Sequence, residues 1–269
     1  MTAAIPVPAW LVGCGNMAGA MVDGWRASAV DFSNVAVIRP SGAPVESIRT
    51  LTDYPDQQPR FVMLGFKPQK LDEIAPRLEP HIESDTIIVS MLAGITASIL
   101  RQRFPNARAI IRIMPNLPVA QRQGVIPLYS EDRDDQACDA VEGLMGLLGL
   151  APWCEHEDQI AAIGAISASG PAYFARFAEA IGRAGVTHGL SSTLAHSIAA
   201  QTLIGTGAFA AATGESMGEV ARRVASPKGT TEQGLAVLDG PEGLQPLVDR
   251  MLGAALKRVE ELAEAARRN

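Results

Sequence analysis

The sequence predicts an α/β fold, a mostly parallel sheet covered on both faces by helices over residues 1–156, followed by an all-α domain over residues 157–269. Three observations carry this. Over the first 155 residues, short continuous apolar runs recur at about a helix length, the pattern of strands buried on both faces. After about Glu157 the β-branched runs stop and helical periodicity takes over. A glycine-rich turn stands directly between the first apolar run and the first amphipathic one. A chain of 269 residues accommodates two such domains. No low-complexity linker separates them, which predicts a rigid junction, and no repeat of 20–50 residues is present.

The elements follow in order. Trp10-Leu11-Val12 reads as a strand and Met17 to Ala27 as a helix. Val35-Ala36-Val37-Ile38 and Phe61-Val62-Met63-Leu64 are further strands, and Pro68 to Leu78 has helical spacing. Thr86 to Ser90 and Ala109 to Ile113 are strongly β-branched. Val125 to Tyr129 and Trp153-Cys154 add edge strands. Helical periodicity then covers Ala172 to Ala184, Leu194 to Ala212, Met217 to Arg223 and Leu244 to Ala266. In the last segment Leu256, Val259, Leu262 and Ala266 share one face, with Glu264 and Arg268 paired at i,i+4 outside it.

Composition removes several classes of function. Acidic residues outnumber basic ones, 29 to 23, for a net charge of -6, the wrong balance for a general nucleic-acid binder. Three scattered cysteines (Cys14, Cys138, Cys154) make no disulfide framework. The four histidines are dispersed and no C-x-x-C or H-E-x-x-H spacing occurs, so no metal site is expected. The longest wholly apolar stretch, Gly143 to Trp153, falls far short of a membrane helix, and the N-terminus lacks the charged n-region of a signal peptide. These features predict a soluble, cytoplasmic protein.

Gly13-Cys14-Gly15-Asn16-Met17-Ala18 matches G-x-G-x-x-G/A in the context that gives the pattern meaning, after a strand and opening a helix. Gly13 permits the tight turn, Gly15 lets a pyrophosphate lie against backbone, and Ala18 lets helix and strand approach. The helix start then offers N–H groups and partial positive charge to an anion. The plain alternative is a glycine-rich turn without a ligand. Its position after the first strand favours a Rossmann-type dinucleotide site. The second strand ends Ile38-Arg39-Pro40-Ser41-Gly42, without the carboxylate that bonds the ribose hydroxyls in an NAD site. Arg39 and the Ser41 hydroxyl suit a 2′-phosphate, which predicts NADPH in preference to NADH; the alternative for Arg39 is a solvated loop position.

Ligands on such sheets lie at the carboxyl ends of the strands. Those ends read Gly65-Phe66-Lys67-Pro68, Ala93-Gly94 and Met114-Pro115-Asn116-Leu117-Pro118. Phe66, Lys67, Pro68, Ala93 and Gly94 are therefore cofactor candidates. Asn116, whose amide both donates and accepts, is a candidate for the nicotinamide or the substrate. In the helical half, Ser167-Ala168-Ser169-Gly170-Pro171 leads into a helix. Ala225-Ser226-Pro227-Lys228-Gly229-Thr230-Thr231 offers hydroxyls and free N–H groups that suit a small carboxylate. On these residues alone an ordinary capped helix start is the favoured reading, since Ser and Thr caps are common.

Taken together, these stretches resemble the pyrroline-5-carboxylate reductase family over nearly the whole chain. The resemblance rests on the glycine turn, Lys67-Pro68, Arg112-Ile113-Met114-Pro115-Asn116 with Pro118 and Gly124, and Ser169-Gly170-Pro171-Ala172-Tyr173. It continues through Ala199-Ala200-Gln201-Thr202, Ser226-Pro227 and Gly229-Thr230-Thr231. It implies hydride transfer from NAD(P)H to C5 of the cyclic imine 1-pyrroline-5-carboxylate, giving L-proline. It also implies a substrate carboxylate on Ser226, Gly229, Thr230 and Thr231, with the Thr231 hydroxyl nearest the ring nitrogen and Glu157 close to the substrate. It further implies a homodimer through the helical domain and leaves higher oligomers open. Lys228, Ala168, Gly164 and Phe66 depart from the family's usual residues, so a related cyclic imine is an alternative substrate.

Two rivals stand beside this reading. A β-hydroxyacid dehydrogenase shares the plan but wants a lysine on a helix of the second domain. The only lysines there are Lys228, in a loop, and Lys257, on a charged face. A non-catalytic NADP(H) sensor would keep the cofactor turn and leave the other motifs without a role.

Overall fold

The computed structural model describes residues 4–132 and 134–268. The chain divides into two compact units, residues 1–168 and 169–258. The first unit contains β1 (Ala9–Val12), α1 (Asn16–Ala27), β2 (Val35–Ile38), β3 (Arg49–Leu51), β4 (Phe61–Leu64), α2 (Leu71–Leu78) and β5 (Ile87–Ser90). It continues with α3 (Ala97–Arg103), β6 (Ala109–Ile113), β7 (Gly124–Val125), β8 (Leu128–Tyr129), α4 (Asp135–Gly146), β9 (Gly149–Leu150) and α5 (Gln159–Ser167).

Seven strands form one sheet in the order β3-β2-β1-β4-β5-β6-β8. All neighbours run parallel except β8, which pairs antiparallel with β6. β1 lies inside the sheet, with Leu11 opposite Val37 of β2 on one side and Met63 of β4 on the other. The chain reverses direction of build between β1 and β4, and this switch point opens a crevice at the strand ends.

β1, β2 and β4 are apolar throughout, and β5 and β6 nearly so, because each face of the sheet has its own core. Leu11, Val37, Met63, Val89 and Ile111 pack with Met21 and Trp25 of α1 and with Leu144 and Leu148. The alternate residues Trp10, Val12, Val62, Leu64 and Ile88 pack on the other side with Leu71, Leu78, Leu100 and Phe104. The Trp25 indole N–H donates to the Leu144 carbonyl at 3.0 Å, which satisfies its one polar atom inside the core.

Several elements differ from the sequence expectation. The run Val125 to Tyr129 is two short strands in two sheets, with β7 pairing β9 and β8 extending the main sheet. Pro127 lies between them and has no N–H for a ladder. Trp153 makes only an isolated bridge to Leu128. The Pro68–Leu78 segment is a 3₁₀ turn at Pro68–Lys70 followed by α2. The short edge strand β3 and the helices α3 and α4 are additional. Both helices start at side-chain caps, where Thr96 accepts from the Ile99 N–H and Asp134 from the Ala137 N–H.

The second unit contains α6 (Gly170–Thr187), α7 (Ser192–Thr213), α8 (Met217–Val224), α9 (Thr230–Leu238) and the start of α10 (Leu244–Arg268). α6 and α7 pack as a hairpin at small residues. A Cβ at Gly182 would stand 2.7 Å from the His196 ring, and one at Gly185 3.2 Å from Ala195. Ser191 caps α7, and a reciprocal Ser216–Glu219 box opens α8. The face expected for Val259, Leu262 and Ala266, and the Glu264–Arg268 pair, lie outside the described side chains. No described helix is long and apolar enough to cross a membrane.

Candidate active site

A cleft of about 600 Å³ lies at the switch point of the sheet. Gly13 to Ala18, between β1 and α1, form its floor. Arg39 and Ser41 come from the end of β2, Gly65 to Pro68 from the end of β4, Met91 from β5, and Met114 and Pro115 from β6. One turn of chain thus meets the carboxyl ends of four neighbouring strands.

The turn itself depends on two glycines. Gly13 has φ +81°, and a Cβ there would stand 2.8 Å from the Gly65 carbonyl oxygen. The ends of β1 and β4 therefore touch backbone to backbone. A Cβ on Gly15 would meet nothing within 4 Å. The space it would fill is the open cradle above the first turn of α1, which no side chain caps and where backbone N–H groups lack partners.

Arg39 braces this turn. Its Nη1 donates to the Cys14 carbonyl at 3.0 Å, while its Nε is buried without a partner among the described residues. An orphaned guanidinium donor at the rim of a polar cradle is the feature expected where an anionic ligand completes the site. Burial pushes the Cys14 thiol above its ordinary range, against a smaller opposing effect of Arg39. Cys14 is therefore a neutral wall residue at pH 7 and no nucleophile.

Three of the expected site positions have partners or places of their own within the chain. Asn116 is buried, and both ends of its amide are already bonded: Nδ2 donates to the Ser167 carbonyl and Oδ1 accepts from the Val125 N–H, each at 2.8 Å. One N–H of Nδ2 and one lone pair of Oδ1 are thus engaged within the chain. One oxygen of Glu157 is likewise engaged, since its Oε1 accepts from the Ala97 N–H at 2.6 Å and from Arg112 Nη1 at 2.8 Å. Ala93 and Gly94 are not among the residues lining the cleft, and Met91 takes the place at the end of β5. Sequence reasoning passed over Met91. Its position as the first residue after the β5 strand was the available signal.

The second-unit loop has its own geometry. α9 starts at Thr230 with Gly229 as its N-cap and no side-chain cap, so the Thr230 and Thr231 N–H groups stand in an open first turn. Gly229 does not add a free donor as expected, because its N–H is bonded to the Ser226 carbonyl at 2.9 Å. The Lys228 N–H is taken by Glu232 Oε2 at 2.6 Å. Lys228 itself holds φ +59°, a left-handed conformation uncommon outside glycine.

Comparison with known proteins decides the family. A pyrroline-5-carboxylate reductase of Pseudomonas aeruginosa is 34% identical, over 94% of this chain and 96% of that protein. The chain belongs to the pyrroline-5-carboxylate reductase family. Residues 157–262 match the family model described as pyrroline-5-carboxylate reductase dimerisation. The solved reductase of Coxiella burnetii superposes with a TM-score of 0.87 at 30% identity, covering 96% of this chain and 99% of that one. The pyrroline carboxylate reductase of Plasmodium falciparum, solved with NADP bound, shares the fold at a TM-score of 0.76 and 21% identity, covering 95% and 97% of the two chains. Phe66 lines the cleft, and Lys228 sits one residue before the N-cap of α9.

Proposed function

We propose that this chain reduces the C=N bond of 1-pyrroline-5-carboxylate to L-proline, with NADPH as the preferred cofactor. The observation that carries the reading is the cleft: an open glycine cradle at a helix start, with the orphaned Arg39 donor at its rim. The reduced nicotinamide supplies the hydride. The residues of the chain bind and orient. Backbone N–H groups from Gly15 onward meet the pyrophosphate. Arg39 and Ser41 hold the 2′-phosphate at the end of β2, and Lys67 adds a second cation to the cleft. Met91, Met114 and Pro115 make an apolar wall that excludes water.

A protonated cyclic imine is already electrophilic, so alignment supplies most of the catalysis. The Ser226 hydroxyl and the Thr230 and Thr231 N–H groups hold the substrate carboxylate. The Thr231 hydroxyl orients the ring nitrogen. The hydride forms the new bond at C5, the C=N π pair becomes the nitrogen lone pair, and the proton already on the iminium nitrogen balances the hydride. The helical unit makes a homodimer, because α7 exposes a row of large apolar side chains, Leu194, Ile198, Leu203, Ile204 and Phe209.

Steady-state assays with pyrroline-5-carboxylate and each cofactor test the reading. Wild type turns over with NADPH favoured. Thr231→Ala loses kcat by about a hundredfold, within the range of a lost orienting group, while NADPH binding persists. Arg39→Ala lowers the NADPH-to-NADH efficiency ratio by about tenfold, as for one charge-assisted contact. A wild type that binds NADPH yet reduces no cyclic imine establishes the sensor alternative instead.

A further inference from the structure

Five polar or charged residues are buried among the described residues, and three of them, Arg112, Asn116 and Ser167, surround one short piece of the cleft. That piece is Met114–Pro115, at the carboxyl end of β6. Burying polar side chains is costly unless each is bonded, so their concentration here needs a reason. For Arg112 and Asn116 the hydrogen bonds supply it; Ser167 takes part through its backbone carbonyl, while its hydroxyl is buried without a partner among the described residues. Arg112, two residues before Met114, is tied to Glu157, two residues before α5 begins. Asn116, the residue after Pro115, is tied to the carbonyl of Ser167, the last residue of α5. α5 is thus pinned at both ends to the two flanks of the Met114–Pro115 segment. Between the pins, a Cβ on Gly164 would lie 3.6 Å from Met114 Cγ, so the middle of the helix backs the methionine directly. Each clamp also has a second anchor: Glu157 holds the Ala97 N–H at the start of α3, and Asn116 holds the Val125 N–H of β7.

We propose that Asn116 and the Arg112–Glu157 pair are positioning residues that fix the nicotinamide end of the cleft by holding α5 behind the Met114–Pro115 wall. This rests on the cofactor reading above. Arg39 and Ser41 mark the adenosine end at β2, and Met114–Pro115 lies across the switch point, on the β5–β6 side. The clamps therefore act on the reacting half of the cofactor and not on the half that supplies most of its charge. Asn116 and Glu157 touch neither cofactor nor substrate in this arrangement. They act through α5 and Met114, which sets the precision of a hydride transfer that depends on alignment.

The test separates the two halves of the cofactor. Asn116→Ser and Glu157→Ala are compared with wild type by calorimetric affinity for 2′,5′-ADP, by the nicotinamide fluorescence of bound NADPH, and by kcat with pyrroline-5-carboxylate. Both variants are expected to bind 2′,5′-ADP within twofold of wild type. Both should lose at least half of the fluorescence enhancement of bound NADPH and about tenfold in kcat. Glu157→Gln, which keeps an acceptor for the Ala97 N–H, should recover most of both losses. Unchanged fluorescence and kcat in the folded variants overturn the proposal. So does a parallel loss of 2′,5′-ADP affinity, which marks collapse of the whole cleft. A raised KM for the imine with kcat intact also overturns it and restores direct substrate contact. Should Glu157→Ala not fold, Asn116→Ser decides. If wild type binds NADPH but reduces no imine, the substrate reading fails, and the fluorescence arm still decides the clamp. If wild type binds neither NADPH nor 2′,5′-ADP, the cofactor reading and the clamp both fail.

Discussion

The two units of this chain bury their apolar residues to very different extents. The first encloses two cores, one on each face of the sheet, with side chains such as Leu11, Met63 and Leu64 wholly inaccessible. In the second unit the buried apolar side chains among the described residues are Ala195, Ala199, Ala210 and Val220, while Phe174 is 62% exposed, Ile204 64% and Val237 74%. The apolar content of both sequences is high, so composition does not explain the contrast. The difference teaches that the first unit satisfies itself, whereas the second is half of something. A largely apolar helix is stable only when covered, and α6 covers α7 along its Ala195–Ala199 side while Leu194, Ile198, Leu203 and Ile204 stay exposed.

The largest effect should come from charging that exposed face. Ile204→Glu removes about 2 kcal/mol of burial from each copy. A symmetric interface counts the loss twice, and the dimer dissociation constant should rise by about a thousandfold. Analytical ultracentrifugation would show dimer giving way to monomer. A variant that stays dimeric, or a wild type that is already monomeric, erases the proposed cause of the contrast.

Within the first unit, the glycine turn offers a sharper and smaller test. Gly13→Ala would place a Cβ 2.8 Å from the Gly65 carbonyl oxygen at φ +81°, and should lower stability by about 2 kcal/mol. Gly15→Ala meets no protein atom. It should keep the melting temperature of wild type and lose about tenfold in NADPH affinity by filling the phosphate cradle, as for one lost charge-assisted contact. If both variants lose stability equally, the turn is only structural and the cradle reading fails.

The smallest expected effect lies at the start of α4. Asp134 caps the helix and receives a two-pronged hydrogen bond from Arg108, at 2.7 and 3.0 Å. Arg108, and then the Ala137 N–H, hold its carboxyl below the usual carboxylate range. A depressed folded-state value means that the stabilisation is present above the unfolded value, near 4, and is lost as pH falls through the folded one. Asp134→Asn should therefore cost about 1 kcal/mol or less at pH 7. Its melting temperature should also fall less steeply than wild type's below about pH 4. Parallel curves for the two proteins would remove Asp134 from the acid limb.

Much of this was legible in the chain before any coordinates. The strand runs are apolar without alternation because both faces are covered, so β1, β2, β4, β5 and β6 could be read to within a residue or two. The glycine turn was readable because its spacing is set by backbone geometry at one local site. β3 was not, since an edge strand of Arg49, Thr50 and Leu51 carries little apolar signal. The break at Pro127 was present in the sequence, but which sheet each half joins depends on partners far along the chain.

Asn116 and Glu157 mark the limit most clearly. Their residue types suit ligand chemistry, and in a one-dimensional reading an amide or carboxylate near a strand end is a ligand candidate. Only the fold brings Ser167, Val125, Ala97 and Arg112 to them and engages part of their hydrogen-bonding capacity. The sequence by itself determined what depends on neighbours along the chain: the alternation of strand and helix, the cofactor turn, and the helical second half. Tertiary structure alone decided which polar groups are already paired and which apolar faces remain open. Those are properties of residues distant in sequence, and a side chain's chemistry is free for a ligand only when no such neighbour has claimed it.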